Sequence, residues 1–139
     1  MTDGISNAYR HSRRRGQGLV EMALLAPMLV FILVATIDFA RAYSAYIEVS
    51  NAARAGAIYG SRTSANAHNA DAVRAAALAD SPTIFGTAPV VSSDVTADDG
   101  DGYEQINVTV NYTFEVLTGF PGIPGSVNMS RSVDMRVIG

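Results

Sequence analysis

The stretch "SRRRGQGLVEMALLAPMLVFILVATIDFARAY", Ser12 to Tyr43, decides how the rest of the chain is read. Three arginines, Arg13, Arg14 and Arg15, run directly into an apolar segment that carries one acid, Glu21, near its leading edge. From Met22 to Ile37 there are 16 uncharged residues, and counted from Gln17 the segment reaches 21 with Glu21 as its one charge. A helix of the longer span covers about 30 Å at ~1.5 Å per residue, one hydrocarbon core. Sixteen residues alone fall short. The helix therefore spans a bilayer only if Glu21 is accommodated near one interface.

Charge gives the segment a direction. Residues 1–16 hold four arginines against Asp3, a balance of +3, whereas the remaining 123 residues hold six arginines against twelve acids, a balance of −6. A basic end beside an apolar run keeps the N-terminus in the cytoplasm and sends the rest across. The acidic body speaks against nucleic acid as a partner, because phosphate binding needs clustered Arg or Lys. Cysteine is absent from the 139 residues. That excludes disulfide staples, thiolate metal sites and a lipidated cysteine. The length leaves room for one small domain beyond the apolar third.

Several segment types share this outline. A secretory signal peptide has a basic start, an apolar core of about 7–15 residues and a small-x-small cleavage site. Ala40-Arg41-Ala42 offers such a site, with cleavage after Ala42. The apolar core is long for that reading, and Glu21 is costly inside it. A plain signal-anchor suits the length and leaves Glu21 without a role. A third type assigns it one: Gly16 follows the arginines directly, and Glu21 is the fifth residue of a chain that starts at Gln17.

That arrangement resembles the processing site of type IV prepilins. The resemblance implies that a membrane prepilin-type peptidase cuts after Gly16 and that Glu21 pairs with the new N-terminal amine of a neighbouring subunit. A narrower match runs from Arg14 to Gly60, which looks like the N-terminal block of the TadE-like family, minor pseudopilins of the tight-adherence (Tad/Flp) pilus. The matching elements are Val20-Glu21-Met22, Ala23-Leu24, Pro27, Asp38-Phe39-Ala40-Arg41 and Asn51-Ala52-Ala53-Arg54-Ala55-Gly56. Met22 stands where the family usually has an aromatic, and Ala40 where it has glycine.

Elementary electrostatics agrees with the role so implied. A carboxylate in a bilayer costs about 2.5–3.5 kcal/mol on insertion scales, so it needs a partner. Cleavage after Gly16 creates a cation at the same depth. The competing account is that Glu21 merely reaches back to the headgroups. Pro27 removes one helical hydrogen bond and is expected to kink the helix, which apolar membrane helices tolerate. Asp38 and Arg41, three apart, are expected on one face as a solvated border at the far interface.

Beyond Arg41 the helix is expected to run on to about Tyr59. Phe39, Tyr43, Tyr46, Ile47, Ser50, Ala53, Arg54 and Ala57 recur at a spacing of three to four and read as a packing stripe. Ala52, Gly56 and Gly60 form a small-xxx-small ladder that lets another backbone approach closely. "GSRTSANAHN", Gly60 to Asn69, reads as a loop. Asn69 is placed to cap a second helix running to about Asp80. Then the period changes. Ile106, Val108, Val110, Tyr112 and Phe114 alternate with polar residues, as do Val127 to Val137, and "APVVSSDVTA" reads as a weaker first strand.

The expected plan is α+β, with an antiparallel sheet of about three strands on the extended helix. Residues 1–16 form a basic leader, 17–40 a transmembrane helix and 41–60 its exported continuation. Residues 61–139 form an exported head with a helix at about 69–80 and strands at about 88–96, 103–117 and 127–138. Asp98, Asp99 and Asp101 depart from the calcium-loop spacing and read as a hairpin turn. Asn107-Val-Thr, Asn111-Tyr-Thr and Asn128-Met-Ser match the glycosylation sequon, a pattern that polar strand faces generate by chance. His68 has no second metal ligand beside it. No nucleophile-base set or phosphate loop is present, so neither enzymatic activity nor a cofactor is expected.

The function expected from the resemblance is assembly or initiation of a Tad/Flp-type adhesive pilus by helix packing. The expected partners are a prepilin-type peptidase, other pilins and pseudopilins, an inner-membrane assembly platform and membrane lipid. The expected location is the inner membrane, with the N-terminus cytoplasmic. A small secreted or membrane-anchored binding domain is the alternative.

Overall fold

The computed structural model describes residues 6–79, 82–97, 102–118, 122 and 124–138, with side chains from residue 16 onward. The order of elements is α1 (Ser6–Gly60), α2 (Ser64–Ala67), α3 (Ala70–Ala77), β1 (Val90–Ala97), β2 (Glu104–Glu115) and β3 (Ser126–Arg136). A long N-terminal helix, a short helix and a three-stranded antiparallel sheet make the fold α+β. The chain divides into two compact units, Met1–Asp38 and Phe39–Gly139.

In the second unit the sheet has the order β1-β2-β3. β2 is its centre and its most regular strand. Ile106, Val108, Val110, Tyr112 and Phe114 are all buried, so strict alternation has put one row of side chains into the core. Val90 pairs with Asn111 and Ala97 with Glu104 on one side of β2. On the other side Gln105 pairs with Arg136 and Glu115 with Ser126, in unbroken register. The face away from the core is held by polar contacts. The Asn107 side-chain amide donates to Ser132 Oγ at 2.7 Å and to Asp134 Oδ1 at 2.6 Å. The first of the sequon asparagines is thus part of a cross-strand network.

The core has two linked parts. One joins Ala45, Val49, Ala52 and Ala53 of α1 to Ile84, Val110, Tyr112 and Phe114. The other joins Ala57, Ala67 and Val73 to Ile106, Val108 and Val137. The face of α1 that packs is therefore the small one. This corrects the expected stripe: Phe39 is 74% exposed and Tyr43 61%, and only Ala53 and Ala57 of that set are buried. Alanine and glycine bring the helix axis close to the sheet, whereas aromatic residues on the same face would hold it away.

Two local structures differ from the sequence expectation. The stretch read as a loop contains α2, because Thr63 Oγ1 accepts from the Asn66 N–H at 3.2 Å and caps a helical turn. Asn69 likewise caps α3, accepting from Ala72 N–H at 3.1 Å. The helix ends at Ala77 with Leu78 as its C-cap, short of the expected end at about Asp80; the Asp98–Asp101 turn considered for calcium lies outside the described residues. Before β1, Ile84 and Thr87 exchange backbone hydrogen bonds of 2.8 and 3.0 Å around Phe85 and Gly86. Both central residues have positive φ, 46° and 84°, as a two-residue turn of this hand requires.

Candidate membrane-anchoring and assembly helix

α1 carries most of the residues singled out in the sequence. From Gly16 to Ile37 every side chain is exposed except that of Val34, which is half-buried. Leu19 and Leu24, for example, are each 73% exposed. A contiguous apolar surface of this extent marks a site for lipid or for another protein. Among the described residues α1 is the one helix long and apolar enough to cross a membrane, and its apolar window has no buried share. The Thr36 hydroxyl donates to the Ile32 carbonyl at 2.7 Å, so this polar group is satisfied within the helix itself.

Glu21 sits on this surface one turn beyond Gln17. Its Oε1 accepts from the Gln17 side-chain amide at 3.4 Å, the spacing at which i and i+4 side chains meet. Gly16 is exposed, with open space around it. Pro27 lies inside α1, which stays helical through it. The side chains of Arg13, Arg14 and Arg15 lie outside the described residues.

The small-residue ladder lies in the second unit and faces this chain's own head. A Cβ at Gly56 would stand 3.1 Å from both Ala77 Cβ of α3 and Val108 Cγ1 of β2. At Gly60 it would overlap Ile106 Cδ1. Ala52, 5% exposed, belongs to the same buried row. These positions let α1 lie against α3 and β2.

Asp38 and Arg41, expected as a solvated pair, are not solvated alike. Asp38 is only 8% exposed. Arg41 is half-buried, with its guanidinium 4.9 Å from the centre of the Phe85 ring and 5.2 Å from that of Phe114. The two rings meet edge to face at 6.5 Å. Such contacts favour a cation on the ring faces. Sequence reading missed this cluster, since nothing in the spacing links residue 41 to residues 85 and 114. The adjacent "FG" pair was the available hint of a tight turn.

Among the described residues no three His, Asp or Glu side chains converge on a point. His68 has a structural place, with Nδ1 2.9 Å from the Ser64 carbonyl, where it donates, and Nε2 4.0 Å from Glu104 Oε1. Burial raises the Tyr112 hydroxyl above its ordinary value, and the Arg41 charge opposes that shift in part.

Residues 16–57 match the family model described as TadE-like protein. No curated protein and no solved structure matches the chain. The family match suggests involvement in the Tad pilus and association with its other components in general. Together with the exposed apolar helix, it fits a membrane-anchored pilus component. Through the helix that carries this match, residues 16–57 are similar to TadE-like proteins.

Proposed function

We infer that this chain is a minor pseudopilin that takes part in assembling or initiating a Tad/Flp-type adhesive pilus. Residues 1–16 act as a leader that a prepilin-type peptidase removes after Gly16. Arg13, Arg14 and Arg15 hold that end in the cytoplasm, the apolar part of α1 spans the inner membrane, and the head is exported. The observation that carries the reading is a single acid on an otherwise apolar exposed surface, five residues after Gly16, within the family-matched segment.

Before cleavage the Glu21 carboxylate has a neutral neighbour, the Gln17 side-chain amide. After cleavage the Gln17 amine of a neighbouring subunit supplies a full positive charge. Opposite charges in a low-dielectric medium attract far more strongly than in water. Such a pair favours docking at one axial offset, so the work is done by helix packing with other pilins and with the membrane platform. The protein has no catalytic role of its own in this reading. Pro27, inside the apolar part of α1, allows the anchor to bend where it leaves a filament or the assembly machine.

Sequencing the N-terminus of the mature protein tests this. A start at Gln17 supports the pseudopilin. A start at Tyr43 instead identifies a secreted domain released after Ala42.

A further inference from the structure

β3 is an outer strand, and its hydrogen-bonding pattern shows what its free side presents. Val137 N–H donates to Glu104 O at 2.9 Å, and Val116 N–H donates to Gly125 O at 3.0 Å. The register between these two bonds is constant, and antiparallel pairs alternate between bonded and non-bonded residues. Val127, Met129, Arg131, Val133 and Met135 therefore turn their N–H and C=O groups to β2. Ser126, Asn128, Ser130, Ser132, Asp134 and Arg136 turn theirs away from it. All six of these are exposed, and no described residue forms a hydrogen bond with their outward backbone groups.

Natural sheets usually blunt such an edge with proline, a bulge, a short strand or charge. Over the 11 residues of β3 there is no proline, no glycine and no break in register, and the charges at outward positions, Asp134 and Arg136, lie toward one end. Four of the six outward positions are serine or asparagine, small enough for a neighbouring strand to lie alongside. The row on the core side is only partly covered: Val127 is 45% exposed, and Met129, Val133 and Met135 are half-buried. At the centre of that apolar row stands one charge, the exposed Arg131.

Arg131 separates the possible occupants. A second copy pairing antiparallel through all six outward positions would set Ser126 against Arg136 and Arg131 against the second copy's Arg131. Those two arginines would form a non-hydrogen-bonded pair, about 4.5 Å apart at Cα. Like charges directly opposite each other destabilise a sheet. A shift by two residues avoids the clash and leaves outward positions unpaired at the strand ends.

We propose that β3 is a docking edge for an extended strand of a different polypeptide. That strand alternates hydroxyl or amide side chains with apolar ones and places a carboxylate in the apolar row opposite Arg131. Main-chain hydrogen bonds supply the affinity, as in other strand additions. Arg131 supplies selectivity by rejecting apolar and basic strands at that position. The edge lies outside residues 16–57 and owes nothing to how that segment is processed.

The test uses the full chain in detergent micelles and two fluorescent peptides of alternating threonine and valine, about eleven residues long. One peptide carries glutamate in place of the central valine and the other lysine. The glutamate peptide binds roughly fivefold more tightly, the scale of one cross-strand charge pair. Its binding slows exchange of the Asn128, Ser130, Ser132 and Asp134 amide hydrogens about tenfold or more. Arg131→Glu reverses the preference between the peptides. Ser130→Pro removes only an outward N–H, so it retains the thermal unfolding transition of the parent and loses peptide binding. Equal binding of both peptides, or no slowing of those amides, overturns the proposal. Slowing that depends on protein concentration without peptide also overturns it, in favour of self-pairing. If Ser130→Pro fails to fold, the Arg131 reversal and the exchange pattern of the parent chain still decide.

Discussion

The Tyr112 hydroxyl donates to the Ile84 main-chain oxygen at 2.9 Å, which fastens the turn before β1 to the centre of the sheet. The same oxygen accepts from the Thr87 N–H at 3.0 Å. Tyr112→Phe therefore leaves one of two bonds in place, and the expected loss is about 1 kcal/mol. Urea unfolding of the full chain in micelles measures it.

The same residue sets an alkaline limit. Burial holds the Tyr112 proton more tightly in the folded chain than in the unfolded one. A group whose folded pKa is raised contributes stability below its unfolded value, about 10, and loses it as pH rises through the folded value. Stability is expected to be flat with respect to this group up to about pH 9 and to fall beyond the unfolded value. Tyr112→Phe should remove that share of the fall. Unfolding midpoints of the two proteins between neutral and strongly alkaline pH should diverge less as pH rises.

Two glycines one turn apart should respond differently to a methyl group. Alanine in a helix gains about 1 kcal/mol over glycine. At Gly56 the added methyl meets Ala77 and Val108 at 3.1 Å, so small shifts absorb it and the net effect is close to zero. At Gly60 it overlaps Ile106, which is fully buried. Overpacking of that kind costs about 1–3 kcal/mol. Gly60→Ala should therefore be the less stable of the two variants, by thermal melting.

Phe114 and Phe85 share a ring contact but not an environment. Phe114 is 2% exposed and Phe85 is 50% exposed. Phe114→Ala opens a cavity and should cost about 3–5 kcal/mol. Phe85→Ala should cost about 1 kcal/mol or less, mainly the edge-to-face and cation contacts. Chemical denaturation of both variants separates these cases.

Glu21→Gln tests the proposed docking role apart from processing. The leader should still be removed after Gly16, as read by N-terminal sequencing. Co-purification with the partner pilins should fall by about tenfold or more if the pair contributes the ~1.4 kcal/mol that corresponds to such a factor. Unchanged co-purification would remove the pairing role.

Much of this was legible in the chain because it rests on local pattern. The apolar run, its single acid and the basic residues before it are visible without a fold. So is the strict alternation of β2, where one face must be dry and the other wet. The orientation of α1 between Phe39 and Gly60 was not legible. Two stripes at helical spacing compete there, one aromatic and one of alanine and glycine, and hydrophobicity favours the aromatic one. Close packing on the sheet favours the other.

By itself, then, the sequence determined the kind of elements and the presence of an apolar segment with Glu21 at its leading edge, since these follow from period and charge. Only the tertiary structure decided which face of α1 meets the sheet, that Arg41 lies over Phe85 and Phe114, and that β3 is left with an open edge. Those depend on the distance between elements and on strand order. Both are set by contacts between residues tens of positions apart, which no local spacing encodes.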